Sequence, residues 1–461
     1  MRLINATTLK LQSFIDDSQI PRYAILSHTW GTEEVTFEQF QNAQHVDLER
    51  TLGFQKILLA SQQTLRDGLG YVWVDTCCID KTSSAELSES INSMFRWYRN
   101  AAVCYAYLDD VGVLENAPEP FVDKYGGFVR EYIEEEELAR AKWFTRGWTL
   151  QELLAPDKLH FYDRAWRFVG DKIYLEPKLA RITGISIEAF DPGNKLDNYS
   201  VATRMSWAAS RKTTRAEDMA YCLLGLFDVN MPLLYGEGGQ KAFRRLQQEI
   251  LENSSDCSIF SWVNLKADVP SWSNNDNLRI QHHSAGGRSI FANSPQEFRS
   301  SGGIQSSHTG EIVSTSIGVK IELPIFSLPH TKHLKDSRDQ DLFVVLIRWI
   351  NAIEDEGSGE YRLMIQRMID ADGLANTGLV VRRCHKGRLG APDLFLRHEG
   401  YGLIQYHRPL VEKADFRQMY LCKKVPDGNL LRRLGADWEK SPVVEEPRPY
   451  PEVVGLPRTG A

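Results

Sequence analysis

The sequence predicts an α/β fold for residues 1–170, with a mostly parallel sheet at its centre. Short apolar runs typical of buried strands recur through this region, and segments with the apolar spacing of helices separate them. Strands that alternate with helices form crossover units, in which consecutive strands run parallel and the helices cover the sheet. We therefore expect a parallel sheet packed between helices.

The first elements follow this alternation closely. Tyr23–Ser27 is an apolar run of strand length, and a polar turn at Gly31–Glu34 comes after it. Apolar residues then recur at helical spacing over residues 54–65, until glycines end the helix. The apolar run at residues 71–75 predicts the second strand.

A capping-box spacing marks the start of the next helix. Ser83 and Glu86 lie three residues apart, so their side chains can satisfy the free amides of a helix N-terminus. The remaining predicted elements are a helix to about Asn100, a strand at Val103–Leu108, a helix at Trp148–Leu154 and a strand at Leu159–Tyr162.

Three further regions are predicted after residue 170. Residues 171–256 have helical patterns, with a second capping-box spacing at Thr214 and Glu217 and another helix that opens at Gly236–Gly239. Residues 257–440 have short apolar or alternating runs between turn residues, which predict a β-rich C-terminal domain. Residues 441–461 contain five prolines, which favour an extended or disordered tail.

Composition excludes several classes of function. The chain has 461 residues, with 54 basic and 61 acidic side chains, and its formal charge of −7 comes without a basic block. We therefore expect no nucleic-acid surface, and the lack of a long apolar stretch or a signal sequence predicts a cytoplasmic protein without a membrane span. The seven scattered cysteines have no metal-ligand spacing, so neither a metal site nor a disulfide framework is expected.

Polar residues follow the predicted strands at the edge where ligands bind in parallel sheets. The candidate pocket residues at this edge are Ser27, His28, Trp30, Asp75, Cys78 and Asp80. A hydroxyl, an imidazole and carboxylates around an indole suit a nucleotide or a sugar. The alternatives are that each aspartate caps its own loop, that His28 is a core histidine, and that Trp30 is a packing anchor beneath the loop.

Glu152 is the acid with the most distinctive surroundings. It lies in the otherwise apolar segment Trp148–Leu154, whose leucines should face the core. A carboxyl group beside that face would be partly desolvated, which raises its pKa and suits it to proton transfer or charge stabilisation. The alternative is an exposed glutamate on the helix surface.

Three blocks of sequence resemble the HET (heterokaryon incompatibility) domain of filamentous fungi. They are Tyr23–Gly31, Tyr71–Lys81 with its continuation to Tyr98, and Phe144–Pro156. The resemblance covers about residues 20–165, and the segment from Ser206 to Gly238 is similar to what commonly follows this domain.

HET domains are regarded as distant relatives of TIR domains, which are flavodoxin-like modules. Some TIR domains hydrolyse NAD with a single glutamate, which plant-type members carry in a Trp-Cys-Leu-x-Glu-Leu segment. The segment around Glu152 has the same register, with Thr149 in place of the cysteine. The resemblance thus implies that Glu152 is catalytic, that NAD is the substrate, and that no cofactor is required.

The resemblance further implies an effector of fungal cell death and non-self recognition, with NAD nucleosidase activity. An alternative is a non-catalytic module that works by homotypic association with itself or with other HET or NLR-type proteins. A third hypothesis is a cysteine hydrolase that uses Cys77 or Cys78 with His28.

Overall fold

The computed structural model describes residues 1–42, 48–112, 121–122, 128–129, 135–193, 195–260, 262, 291–299, 301–302 and 312–314, together with strands between residues 318 and 422. The chain divides into two compact units. The first comprises Met1–Asn253 and Asn293–Gly302, and the second comprises Ser254–Ala292 and Gly303–Ala461.

The first unit is built on one mixed sheet. Its strands are β1 (Arg2–Asn5), β2 (Lys10–Ser13), β3 (Tyr23–His28), β4 (Tyr71–Trp73), β5 (Val103–Tyr107), β6 (Phe121–Val122), β7 (Phe128–Val129), β8 (Leu159–Tyr162) and β9 (Phe168–Asp171). They lie in the order β2-β1-β4-β3-β5-β8-β9-β7-β6.

The centre of the sheet is parallel, as predicted. β4, β3, β5 and β8 are parallel neighbours, and in chain order they are arranged 2-1-3-4, the order of flavodoxin-like sheets. This confirms an α/β fold for the N-terminal region. β3 is buried along its whole length, which accounts for its almost uninterrupted apolar sequence.

The outer strands correct the prediction of a mostly parallel sheet, because they pair antiparallel. β1 pairs with β2, and β8 pairs with β9, across connections that are too short for a parallel crossover. The turn between β1 and β2 is closed by Asn5, whose side-chain oxygen accepts the amides of Thr7 and Thr8 at 3.1 and 2.9 Å. Four-residue strands around such a turn have too little periodicity to be predicted from sequence.

Helices cover the sheet and extend beyond it. They are α1 (Phe37–Asn42), α2 (Leu52–Arg66), α3 (Asp75–Cys78), α4 (Ser84–Asn100), α5 (Glu135–Arg140), α6 (Thr149–Leu154), α7 (Lys172–Thr183), α8 (Val201–Trp207), α9 (Asp218–Tyr221) and α10 (Gly239–Asn253). No helix within the described residues is long and apolar enough to cross a membrane.

The capping box predicted for α4 is half formed. The Ser83 hydroxyl accepts the Glu86 amide at 3.3 Å, as expected. The Glu86 carboxylate instead binds Arg2 in a two-pronged ion pair and accepts the Asp80 amide at 2.8 Å. The helix therefore begins where the sequence predicts, but its acid ties it to β1 instead of completing the cap.

The capping box predicted at Thr214 and Glu217 does not form. α9 begins at Asp218, and the Glu217 carboxylate accepts the amides of Gly236 and Gly238 at 2.9 and 3.0 Å. Thr214 accepts a hydrogen bond from Arg146 instead. Partners that only the tertiary fold supplies have replaced the local ones.

The helical segment after residue 171 packs within the same compact unit as the sheet. The turn at Leu224–Leu226 lies so close to α4 that a Cβ atom on Gly225 would come within 2.0 Å of the Phe95 Cβ. Gly147 also has a close neighbour, because a Cβ atom added to it would lie 2.5 Å from the Thr213 Cγ2. These close approaches join the segment to the predicted first domain, and the domain boundary at residues 170 and 171 stays a prediction.

The second unit is described mainly by its strands. They are β10 (Val313–Ser314), β11 (Gly318–Ser327), β12 (Leu342–Leu346), β13 (Glu360–Ile365), β14 (Gly378–Arg383), β15 (Leu394–Arg397), β16 (Gly402–His407) and β17 (Asp415–Cys422). All their pairings are antiparallel except that of β15 with β17. A β-rich domain over residues 257–440 stays a prediction, and the proline-rich tail lies outside the described residues.

Candidate functional site

A cavity of about 230 Å³ opens beyond the carboxyl ends of β3 and β4. In an open parallel sheet this is the edge where ligands bind, beside the point where the strand order reverses. The cavity is lined by His28, Trp30, Asp75, Ile79, Lys81, Leu87, Ile91, Met94, Tyr98, Arg146, Trp148, Thr149, Glu152, Thr214, Arg215, Asp218 and Tyr235.

Glu152 forms the floor of this cavity. It lies on α6 with 7% of its surface exposed, so the alternative of an exposed helix-surface glutamate is wrong. The Ser27 hydroxyl at the end of β3 donates to its carboxyl group, and Trp143 Nε1 donates to the Ser27 Oγ at 2.7 Å. The acid is therefore held in one orientation by neutral groups.

Burial, with a smaller contribution from the negative charge of Asp75, raises the pKa of Glu152 to about 8. Hydrogen bonding by Ser27 and Tyr98, and the charge of Arg211, act in the opposite direction but are outweighed. The raised pKa predicted from the apolar sequence around Glu152 is thus present, and its main cause is desolvation.

A buried arginine fixes the start of α6. Arg211 Nη1 donates to the Arg146 carbonyl and to the Thr149 hydroxyl, both at 2.9 Å. Thr149 in turn donates to the Trp143 carbonyl, and Leu150 and Leu153 are fully buried. Sequence reasoning missed Arg211, and its only sequence signal is a single charge at the end of an apolar helical run.

His28 is held between two acids at the end of β3. Its Nδ1 lies 4.0 Å from Asp75 Oδ1, and its Nε2 lies 3.4 Å from Glu34 Oε2. Glu34 also pairs with Lys56 and accepts the Gly31 amide at 2.6 Å. Burial by itself would raise the pKa of Glu34. The hydrogen bond and charge of His28, together with the hydrogen bonds from the Gly31 amide and Lys56, outweigh burial and lower the pKa to about 2.

Trp30 lies at the mouth of the cavity, with 53% of its surface exposed. Its Nε1 donates to Asp75 Oδ2 at 2.9 Å, and Lys81 Nζ lies 3.6 Å above its ring. The alternative in which Trp30 is a packing anchor beneath the loop is therefore wrong. The network around Glu34 holds the loop that carries this indole.

A second indole–carboxylate pair lies on another part of the lining. Trp148 Nε1 donates to Asp218 Oδ2 at 3.3 Å, and the Tyr235 hydroxyl donates to Asp218 Oδ1 at 2.9 Å. Burial raises the pKa of Asp218, and these two hydrogen bonds oppose that shift. Sequence reasoning did not single out these three residues as site residues, because no spacing in the sequence connects them.

Three of the predicted pocket residues do not line the cavity. Ser27 lies beneath it as a support for Glu152. Cys78 is buried in α3, and Asp80 accepts the amide and the hydroxyl of Thr82 at 2.9 and 2.6 Å. The loop-capping alternative thus describes Asp80, whereas Asp75 lines the cavity together with His28 and Trp30.

The structure is unfavourable to a thiol nucleophile. Cys77 and Cys78 are both buried, with 0% and 3% of their surfaces exposed. Burial and the neighbouring Cys78 raise the pKa of Cys77 well above its usual range, so the reactive thiolate is disfavoured. Among the described residues, no group of His, Cys, Asp and Glu side chains is arranged to hold a metal ion.

These features define a class of protein: an α/β domain with a parallel centre to its sheet, a cavity at the carboxyl edge and a buried acid at the cavity floor. Residues 23–152 match the family model described as heterokaryon incompatibility protein (HET). Residues 23–152 are therefore similar to a HET domain, as the sequence motifs predict. Residues 241–341 match a domain of unknown function (DUF8212).

One curated relative is the vegetative incompatibility protein HET-E-1 of Podospora anserina. It is 45% identical over 255 residues, which are 54% of this chain and 18% of the relative. The chain thus matches less than a fifth of that protein's length. No solved structure matches the chain.

Proposed function

We propose that this protein is an effector of fungal incompatibility and that its HET domain hydrolyses NAD at the bond between nicotinamide and ribose. The observation that supports the proposal is the position of Glu152, a buried carboxyl group on the floor of a cavity lined by Trp30, Trp148 and Tyr98. No Lys, Arg or His nitrogen of the described residues forms an ion pair with this carboxyl group. Once ionised, it can therefore form its ion pair with a cationic ligand.

The proposed reaction consumes NAD and water and releases nicotinamide, ADP-ribose and a proton. The bond between ribose C1′ and the pyridinium nitrogen breaks, and its electron pair neutralises the nicotinamide, which therefore leaves without a general acid. Positive charge develops on the ribose, and an ionised Glu152 stabilises it in the transition state. Water then bonds to C1′ and gives up its proton to Glu152 or to solvent.

The raised pKa of Glu152 is compatible with this role. A carboxyl group with a pKa of about 8 is mostly protonated at neutral pH before a cation binds beside it. The pyridinium of NAD carries a positive charge, and a cation within a few ångströms lowers the pKa of a carboxyl group. Binding of the substrate would thus ionise the acid that the reaction needs.

The other residues of the cavity have supporting roles in this proposal. Asp75 has one oxygen bound to Trp30, and its other oxygen is positioned to accept a ribose hydroxyl. Trp30 and Trp148 offer flat faces on which a base can stack. The cavity volume of about 230 Å³ lies below the roughly 300–1,000 Å³ typical of drug-sized ligands, so it would enclose only part of a dinucleotide.

The biological role is proposed from the relative's name, vegetative incompatibility protein. Depletion of NAD in the cytoplasm would kill a cell, which is the outcome that incompatibility requires. We propose that self-association, or association with other HET or NLR-type proteins, activates the domain, as the resemblance to TIR domains implies.

The first prediction concerns Glu152→Gln, which keeps the side-chain volume and removes the charge. Purified full-length chain is incubated with NAD over a range of protein concentrations, and released nicotinamide is measured by chromatography. We expect release by the wild-type chain and at least a hundredfold loss in the variant, because loss of one preorganised electrostatic group costs about that much.

The control is Glu135→Gln, which changes a half-buried acid on α5 that binds Arg181 and does not line the cavity. It should release nicotinamide like the wild type. Both variants should unfold cooperatively at temperatures near that of the wild type, which would show that their folds are intact. Equal release by wild type and Glu152→Gln would refute a catalytic role for Glu152.

A second candidate function is the non-catalytic module that works by homotypic association. Its support is that Glu152, with a pKa of about 8, is mostly protonated at neutral pH and bonded to Ser27, so that it could serve as a structural acid. Cell killing that persists in Glu152→Gln, with no nicotinamide release at any concentration of the wild-type chain, would establish this function.

A further inference from the structure

The cations of the cavity lie in other parts of its lining than Glu152. Glu152 lies at the floor, whereas Lys81, Arg146 and Arg215 belong to less buried parts of the lining. Arg215 and Lys81 are exposed, and Arg146 is half-buried. Three cations therefore lie in less buried parts of the lining than Glu152 does, and Asp75 lies beside Trp30 at the mouth.

These cations form no close ion pair with a carboxylate of the described residues, although Asp218 acts on Arg215, and Asp75 on Lys81, at longer range. Of the ion pairs that the described residues form, none involves Lys81, Arg146 or Arg215. Instead, the Arg215 guanidinium lies 4.3 Å above the Tyr235 ring, and Lys81 lies above Trp30. Aromatic faces hold these side chains without using up their hydrogen-bond donors.

The acids of the same cavity bind neutral donors. Asp75 accepts from the Trp30 indole, and Asp218 accepts from the Trp148 indole and the Tyr235 hydroxyl. Acids and cations thus line one cavity without pairing with each other. This arrangement suits a ligand that carries hydroxyl or cationic groups at one end and anionic groups at the other.

The two arginines are neighbours across a backbone connection. Arg146 pairs with Lys212 in an isolated parallel bridge, in which the Gly147 amide donates to the Lys212 carbonyl at 2.9 Å. Arg146 Nη2 also donates to Thr214 Oγ1 at 2.9 Å, directly beside Arg215. Arg146, Thr214 and Arg215 all line the cavity, and the Arg146–Thr214 hydrogen bond connects the two segments that carry the arginines.

We propose that Arg146 and Arg215 form a diphosphate subsite, which makes the cavity selective for nucleoside diphosphate esters over ribosides that lack phosphate. Guanidinium groups bind phosphate oxygens through two parallel hydrogen bonds and remain charged at all physiological pH values. This inference rests on the proposed function, in which the ribose lies near Glu152 and the diphosphate points towards the mouth.

The subsite also shows which part of the chain completes the cavity. Arg146 lies within the HET match at residues 23–152, whereas Arg215 lies beyond it. Thr214, Asp218 and Tyr235 also lie beyond the match. Ligand selectivity would therefore be determined partly by the segment that follows the family-defined domain.

Calorimetric titration of the full chain tests this subsite directly, with ADP-ribose, inorganic pyrophosphate and nicotinamide riboside as three separate probes. Arg146→Gln and Arg215→Gln should each weaken ADP-ribose binding about tenfold, the loss of one charge-assisted contact, and leave nicotinamide riboside binding within twofold. Arg181→Gln, which changes an exposed arginine outside the cavity lining, should bind ADP-ribose like the wild type.

Pyrophosphate binding that is lost in both cavity variants would identify the diphosphate itself as the recognised group. Unchanged ADP-ribose binding in both variants, equal losses for ADP-ribose and the riboside, or no ADP-ribose binding by the wild-type chain at millimolar concentration would overturn the subsite.

The same variants separate this proposal from the proposed hydrolysis. ADP-ribose binding that depends on the arginines, in a chain that releases no nicotinamide, would support the subsite and refute the enzyme. Nicotinamide release with a KM for NAD that neither arginine variant changes would support the enzyme and refute the subsite.

Discussion

Glu152 connects the sequence to the chemistry through its surroundings. The carboxyl group is buried with hydroxyl and phenol neighbours, and desolvation raises its pKa to about 8. In an unfolded chain the same group would titrate near its ordinary value of 4.5. The difference makes the stability of the fold depend on pH in a way that can be measured without a substrate.

The second prediction follows from the sign of this shift. Between about pH 4.5 and pH 8 the unfolded state ionises Glu152 while the folded state keeps it protonated, so the free energy of unfolding falls as the pH rises. Glu152→Gln removes this dependence. We expect the unfolding free energy of the variant, relative to wild type, to rise by on the order of 1 kcal/mol per pH unit across this interval, measured by urea unfolding between pH 5 and pH 8.

Glu135→Gln provides the comparison at the surface. The hydrogen bond from Arg181 lowers the pKa of Glu135, so this acid is ionised in both states throughout the same interval. Its substitution should shift stability by an amount that does not change with pH. A flat difference for Glu152→Gln as well would contradict the raised pKa.

At the scale of elements, the cavity depends on how closely the turn at Leu224–Leu226 approaches α4. Ile91, Met94 and Tyr98 of α4 line the cavity, while Phe95 contacts Gly225. Because Gly225 has no Cβ, the segment that carries Asp218 and Tyr235 can lie against this helix. The glycine is therefore a packing requirement of the site.

The third prediction is that Gly225→Ala destabilises the fold. The new Cβ would lie 2.0 Å from the Phe95 Cβ and 2.5 Å from its Cγ, and neither atom is at the flexible end of a side chain. Overpacking of this kind costs roughly 1–3 kcal/mol. Urea unfolding measures the loss, and ADP-ribose binding should weaken in parallel because one side of the cavity shifts.

Gly70→Ala is the matched change, since a Cβ at Gly70 would meet nothing within 4 Å. It should alter the unfolding free energy by less than about 0.5 kcal/mol. Equal stability of the Gly225→Ala and Gly70→Ala chains would show that the contact with Phe95 can relax without cost.

At the scale of the whole molecule, the first compact unit extends well past the family match. It includes the helices up to Asn253 and the short segment Asn293–Gly302. Buried residues of the later helices, such as Trp207, Leu224 and Phe243, belong to this unit. The compact unit that holds the cavity is therefore larger than residues 1–170.

The fourth prediction concerns two shortened chains. A chain of residues 1–170 lacks Thr214, Arg215, Asp218 and Tyr235, and it also loses the packing partners of α4. We expect it to show no cooperative thermal unfolding, no ADP-ribose binding and no toxicity. A chain of residues 1–302 retains both parts of the first unit and should unfold cooperatively and bind ADP-ribose.

Circular dichroism during heating distinguishes these outcomes for the shortened chains. Cooperative unfolding of the 1–170 chain, at the temperature found for the 1–302 chain, would mean that the later helices are dispensable. The cavity would then have to function without Arg215 and Asp218, two of its six Asp, Glu, Lys and Arg lining residues.

The central strands and the main helices could be predicted from the sequence because their signals are local. β3, β5 and β8 are apolar runs bounded by polar turns, and α2 and α4 have apolar stripes behind capping residues. The burial of Glu152 was predictable for the same reason, since its flanking leucines define a core-facing segment. Periodicity and capping act over a few residues, and that range is what a sequence pattern records.

The charged lining of the cavity was decided only by the tertiary structure. Arg146 and Arg215 are 69 positions apart, and Trp30 and Trp148 each find an aspartate partner far along the chain. Even Thr214 and Glu217, which have the spacing of a local cap, bind distant partners instead. The free energy that a residue gains from its local preference for a helix or a cap is small. A buried polar group gains more from a well-placed partner, so long-range contacts determine where each charge of this site lies.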